Sequence, residues 1–171
     1  FKKWTVDAGF PGLLLVAQLG GLAKKQDYLN KGYDLVTYQR LAGKSIKKSY
    51  FKGYYHLFNL WNNIVSLIRN RPPRMEDYSK VYGKLIQPID SGNDVVTAIL
   101  PQWDHSPRGG RKTNIYINST PEYFAKHVRM AMEAIKGKKE EHQILMLKSW
   151  NEWAEGNYME PDLTHGRGYI E

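Results

Sequence analysis

The stretch from Gln143 to Asp162, QILMLKSWNEWAEGNYMEPD, limits what this chain can be more than any other part of it. Four apolar residues in succession, Ile144-Leu145-Met146-Leu147, suit a strand covered on both faces, as in a parallel sheet flanked by helices. The run stops at Ser149-Trp150-Asn151-Glu152-Trp153-Ala154-Glu155-Gly156, so two carboxylates follow a strand's carboxyl end. Open α/β sheets and (β/α) barrels gather their reactive groups at that end. The segment is therefore a candidate active site.

Connecting loops favour Gly, Asn, Asp and Ser, whereas this one brackets two glutamates with tryptophans and places an amide beside them. Indole faces stack on the apolar faces of sugar rings, and nearby carboxylates and amides bind hydroxyls or protonate glycosidic oxygens. Glu152 and Glu155 are the candidate catalytic pair, with Trp150, Asn151, Trp153 and Tyr158 as candidate substrate-binding residues. The competing reading is a tryptophan pair that packs the strand end while both glutamates stay solvated, since glutamate is seldom buried unpaired. Glu160 and Asp162 are expected to order the following loop rather than to touch substrate.

The pattern occurs a second time. Val95-Val96-Thr97-Ala98-Ile99-Leu100 reads as a strand stopped by Pro101 and followed by Gln102-Trp103-Asp104-His105. Trp103 and Asp104 join the candidate binding residues, as does Arg108, whose planar guanidinium suits a carboxylate or another anion. His105 is weak evidence, because no second ligand stands at metal-binding spacing from it. Leu13 to Ala17 is a further buried strand, with Gln18 at its carboxyl end as a second-rank sugar contact or part of a capped turn. Asp34 to Tyr38 is a weaker one, followed by a basic loop from Gln39 to Lys48 that lacks the spacing of a phosphate-binding loop.

Helical periodicity fills the intervals. Residues 1 to 8 end a helix near Gly9. Leu57, Leu60, Trp61, Ile64 and Ile68 recur at helical spacing between Phe51 and Arg69 and are expected to be core. Arg71-Pro72-Pro73-Arg74 breaks that helix, and a second one carrying Met75, Tyr78, Val81, Tyr82 and Leu85 runs towards Pro88. Two helices in succession suggest an insertion between barrel strands. Ser119 or Thr120 caps a helix with Pro121 at its first position, burying Phe124, Val128, Ala131, Met132 and Ile135 and ending near Gly137.

A chain of 171 residues builds one domain, 1–171, but falls short of the roughly 250 residues of a complete eight-stranded barrel. The expected class is α/β, the C-terminal part of a (β/α)8 TIM-type barrel that is incomplete in this chain. Cysteine is absent, which removes thiol chemistry and fits a cytoplasmic location. No apolar run approaches the 18 or so residues that mark a membrane span, so no integral membrane segment is expected. The net charge of +8 favours anionic partners, among them an anionic membrane face, a phosphate-linked sugar donor or a lipid carrier. Such a carrier would be met at the inner face of the membrane. No nucleic-acid recognition module is present, and no motif for a metal or organic cofactor is visible. Nothing in the sequence fixes an oligomeric state.

Ser149 to Gly156, continued through Tyr158-Met159-Glu160-Pro161-Asp162, resembles the C-terminal signature of the WbsX-type proteins of bacterial polysaccharide (O-antigen) loci. Leu100 to Arg108 and Ser119-Thr120-Pro121-Glu122 fit the same pattern, so the resemblance covers most of the chain. WbsX proteins are named glycosyltransferases but are similar to glycoside hydrolase family 99, the endo-α-mannosidases. The resemblance implies a barrel, a glycan or activated-sugar substrate and glycosidic chemistry by the Glu-x-x-Glu pair. Carried over, it makes Glu152 the base acting on the sugar's own 2-hydroxyl, through a 1,2-anhydro intermediate, and Glu155 the acid/base at the glycosidic oxygen. Family 99 enzymes tend to have His where this chain has Ala154, which sets the mannosidase specificity apart from what the resemblance implies. The lack of a DxD-like motif or nucleotide-binding Gly-rich loop favours hydrolysis, while the family name favours transfer. A non-catalytic glycan-binding or scaffolding domain is the alternative.

Overall fold

Two strands buried on both faces hold the centre of the molecule: β2, Leu35–Tyr38, and β4, Val95–Ile99. Leu35, Val36, Val95 and Val96 are almost wholly excluded from solvent, as are Thr37 and Thr97. Outside them run β1, Val16–Leu19, and β6, Leu145–Leu147, giving a four-stranded sheet in the order β1-β2-β4-β6. Every pairing is parallel, with Gln18 opposite Thr37, Val36 opposite Val95 and Ile99 opposite Leu147. The computed structural model describes residues 1–20, 23–38, 57, 60, 61, 64, 65, 67, 68, 74–110 and 113–171. Among these the sheet is open, with β1 and β6 as its edges.

Parallel neighbours need long crossovers, usually helical. After α1, Lys2–Asp7, the helix α2, Lys25–Leu29, links β1 to β2. The crossover into β4 includes α3, Tyr78–Leu85, and a 3-10 turn at Pro88–Ser91. The crossover into β6 includes α4, Ser106–Gly109, and α5, Pro121–Ile135. Thr120 caps α5 by accepting from the Tyr123 amide, with Pro121 in the first turn. This satisfies a helix-end donor that has no partner within the helix. At its far end Lys138 is buried, and its ammonium donates to the Val95 carbonyl at 2.5 Å. The exit of α5 is thereby fixed to the start of β4.

Several expectations are corrected. The first strand lies three residues further on than Leu13, so Gln18 sits within β1 rather than beyond it. Met146 is 39% exposed, because only the face of β6 that carries Leu145 and Leu147 packs against the core. Met75 belongs not to a helix but to β3, Arg74–Asp77, which pairs in parallel with β5, Asn114–Ile117, in a separate two-stranded sheet. α5 buries Phe124, His127, Ala131 and Ile135, whereas Met132 is 57% exposed. The described residues between 57 and 68 are helical, but Leu57, Leu60, Trp61, Ile64 and Ile68 are all exposed rather than core. The basic loop from Gln39 to Lys48 and the pair Arg111-Lys112 lie outside the described residues.

Candidate active site

Since β4 and β6 are neighbours, the segments that leave their carboxyl ends emerge side by side. After β6 the chain forms a hairpin, with β7, Asn151–Glu152, antiparallel to β8, Asn157–Tyr158. A 3-10 turn at Trp153–Glu155 and a left-handed Gly156 close it. Glu152 therefore ends one strand, and Glu155 lies in the turn above it. Ser149 and Trp150 anchor the base: the Ser149 hydroxyl donates to the Asn157 carbonyl at 2.5 Å and the Met159 amide to the Trp150 carbonyl at 2.8 Å.

The segment after β4 is fastened to this hairpin. The Asp104 amide donates to the Glu155 carbonyl at 2.7 Å, and Gln102 donates through Nε2 to the Tyr158 carbonyl at 3.3 Å. The Asp104 carboxylate accepts from the Ser106 amide at 2.8 Å. This bond starts α4, whose single turn carries His105 and Arg108 to the same side. Asp104 thus shapes the site from behind.

Both glutamates converge on one guanidinium. Arg108 Nη2 lies 3.0 Å from Glu152 Oε1, and Nη1 lies 3.3 Å from Glu155 Oε1. His105 Nε2 lies 3.5 Å from the same Glu155 oxygen. The environments differ: the Glu155 side chain is 16% exposed and has two cationic or potentially cationic neighbours, while that of Glu152 is 34% exposed and has one.

The aromatic residues divide into two groups. Trp103, expected as an open sugar platform, is 5% exposed and packs in the core with Tyr78, Val81, Leu85, Leu100 and Tyr116. Its ring stacks behind His105, centroids 5.6 Å apart. Trp153, in contrast, is half exposed and stacks on Tyr158 with centroids 3.7 Å apart and planes 12° apart. The Trp153 indole N–H donates to the Glu160 carboxylate, and the Tyr158 hydroxyl to Asp162. Burial and the Asp162 contact push the Tyr158 phenol up. Burial opposes ionisation of Asp162, yet the His165 and Thr164 amides together with Tyr158 hold its carboxyl below the usual range. Asp162 therefore orders the final loop.

Trp150 is also exposed, but it lines a different place. With Ile99, Phe124, Leu147, Met159 and Tyr169 it borders an apolar groove of about 490 Å³ that includes neither glutamate. Gln18 is separated from β6 by β2 and β4 and does not join the cluster. The structure thus assembles Asp104, Arg108, Asn151, Glu152, Trp153, Glu155 and Tyr158 around one hairpin. From the sequence His105 was only weak evidence. Its signal was the three-residue spacing to Arg108, which puts both on one face of a helical turn. Among the described residues, no group of three or more His, Cys, Asp or Glu side chains is arranged to hold a metal ion.

Fold and site together define an α/β protein that presents paired carboxylates at the carboxyl end of a parallel sheet. The chain belongs to the WbsX glycosyltransferase family, whose model, "Glycosyltransferase WbsX", matches residues 1–171. It is also 31% identical over 74 residues to the uncharacterized protein WxcX of two strains of Xanthomonas campestris pv. campestris. That match covers 43% of this chain and 11% of the WxcX length. A solved structure described as a glycoside hydrolase-like protein shares the fold, with a TM-score of 0.50 and 15% identity. The overlap takes in 99% of this chain and 45% of that one. The family resemblance carried by the Ser149 to Asp162 motif therefore holds over the whole chain.

Proposed function

We propose that this protein acts on glycosidic bonds of a polysaccharide or its precursor, with Glu155 as the acid/base and Glu152 as the second carboxyl of the pair. The convergence of the two carboxylates on Arg108 supports this reading most strongly. Glycosidic bonds break and form through an oxocarbenium-like state, which two carboxyl groups stabilise by working on opposite sides of the sugar. Two groups in unlike surroundings suit a division into acid and base. Glu155, the less exposed of the two, takes the proton-donating role at the leaving oxygen, as the family 99 resemblance implies. Glu152, more open, acts as base towards the sugar's 2-hydroxyl, as the family 99 resemblance implies. Arg108 offsets the electrostatic repulsion between the two carboxylates.

The Trp153–Tyr158 stack supplies an aromatic ledge beside the pair on which a sugar ring can lie. Ala154, where family 99 tends to have His, is exposed on the same turn, so the sugar specificity proposed here is not that of an endo-mannosidase. A glycosyl group passed to a sugar hydroxyl gives transfer, and passed to water gives hydrolysis. One site serves either outcome, in the cytoplasm where activated sugars are made.

One observation favours a second reading. Arg108 engages both carboxylates at once, as a structural clamp would, which suits a glycan-binding domain without turnover. Product analysis separates the two. The full-length protein is incubated with oligosaccharides, alone and with a nucleotide-sugar. A shortened or extended glycan supports catalysis, and glycan that is bound but recovered unchanged supports the binding reading.

A further inference from the structure

Within the hairpin, Asn157 is wholly excluded from solvent, at 0% exposed. Its side-chain Nδ2 and Oδ1 have no hydrogen-bond partner among the described residues. A buried amide without partners costs folding free energy that an apolar side chain of similar size does not. Packing therefore does not account for an asparagine here, and stability is given up in this way where function needs the group. The register shows which group that is. Asn157 lies directly opposite Glu152 across the β7–β8 ladder. Opposed residues of an antiparallel pair project from the same face, with Cβ atoms about 4.5–5.5 Å apart, an interval that these two side chains can bridge. Glu152 gives Oε1 to Arg108, and its second oxygen accepts no hydrogen bond among the described residues. An ionised carboxylate accepts at both oxygens, and an amide carries two N–H donors. The backbone of Asn157 is itself held fast: its carbonyl accepts from the Ser149 hydroxyl at 2.5 Å, and the adjoining Gly156 lies tight against Asp104.

We propose that Asn157 is a positioning residue for Glu152: its buried carboxamide donates to the carboxylate oxygen that Arg108 leaves free, and so fixes the direction in which Glu152 meets the substrate. Arg108 is half exposed and engages both carboxylates, so by itself it fixes neither. Asn157 acts on Glu152 alone, because Glu155 lies in the turn beyond the ladder. Side-chain rotation is enough to form the bond, since the register already brings the two residues within reach. Shut off from water, such a bond is stronger than one made at the surface, and reacting groups keep their geometry through supporting bonds of this kind. Asn157 is too deeply buried to touch a glycan, and it works only through Glu152. The inference rests on the assignment of Glu152 as the second carboxyl of the pair, but the bond itself can be measured apart from any turnover.

The test uses the full-length protein in two arms. In the first, solvent exchange of the Asn157 side-chain amide protons is followed by nuclear magnetic resonance, the signal being identified by its absence from Asn157→Leu and Asn157→Ala. Exchange is expected to be about tenfold faster in Glu152→Ala, the change that losing one hydrogen bond brings. Glu152→Gln keeps an acceptor and should stay closer to the parent. In the second arm, Asn157→Leu removes an unpaired buried amide and should keep or raise the melting temperature, yet lower kcat by about tenfold or more with KM nearly unchanged. Asn157→Ala should show the same split between kcat and KM. Added to Glu152→Gln, either substitution should cost no further turnover, because both residues act through one carboxylate. Exchange that is equal in the parent and Glu152→Ala overturns the proposal, as does parental turnover in Asn157→Leu or Asn157→Ala. A parent that converts no glycan defeats the glycosidic reading instead, and the exchange measurement then decides by itself whether Asn157 holds Glu152.

Discussion

A Cβ atom built on Gly156 would stand 2.9 Å from the Cβ of Asp104. The two backbones approach this closely because the segment after β4 and the hairpin after β6 are stitched together, and the stitching brings Arg108 to both glutamates. Gly156 also has φ of +52°, a region that side chains disfavour. Gly156→Ala is therefore expected to meet both a collision and backbone strain, and to cost about 1–3 kcal/mol. Thermal unfolding measures the loss. The same variant should lose turnover beyond what its stability explains, because Glu155 moves with the turn.

Arg108 separates stability from function. Its side chain is about half exposed, and exposed ion pairs are worth only about 0–1 kcal/mol. Arg108→Ala should leave the melting temperature nearly unchanged and lower turnover by tenfold or more, on the order of what a positioned charge contributes to a glycosidic transition state. Arg108→Lys, with a single ammonium in place of a fork, should not restore it.

The tryptophans are expected to behave oppositely. Trp103→Ala removes a buried core side chain and should destabilise the protein by about 3–5 kcal/mol. Trp153→Ala removes a half-exposed ring from the ledge. It should leave unfolding almost unaltered and weaken oligosaccharide binding, as read by calorimetry or by quenching of tryptophan fluorescence.

His127 sets a pH window. Burial in α5 pushes its imidazole down to about 4, below its ordinary value near 6.5. The unfolded chain then binds a proton that the folded one refuses. The neutral imidazole's stabilising share is thus complete above about pH 6.5 and disappears as pH falls towards 4. The full amount is about 3 kcal/mol. Denaturant unfolding of the parent between pH 7 and 4 should show this decline, and His127→Gln should flatten it. Asp162, whose carboxyl is held low, keeps its stabilising share throughout this window and loses it only as pH falls below its ordinary value.

Parts of this architecture could be read from residues and parts could not. The buried runs at Val95 and Leu35 announced central strands because successive residues there are buried on both faces, and the capped start at Thr120-Pro121 announced α5. The pairing of Arg74–Asp77 with Asn114–Ile117 left no mark, since RMED has no apolar alternation and its partner lies some forty residues away. The exposure of the stripe from Leu57 to Ile68 was equally hidden. Periodicity shows that a helix has an apolar face but not what covers it. Within the site, the Glu152 and Glu155 pair followed from strand-end logic. Trp103 was misjudged because an aromatic at a strand end serves equally as platform or as core, and sequence does not say which way the ring turns. His105 gained meaning only once α4 had turned it towards Glu155.

The most direct test of the glycosidic role is the turnover of full-length Glu155→Gln on an oligosaccharide that the parent converts, with binding measured alongside. Loss of the proton donor should lower turnover by about 10²- to 10⁴-fold while the glycan still binds. Turnover equal to that of the parent would contradict the role given to Glu155.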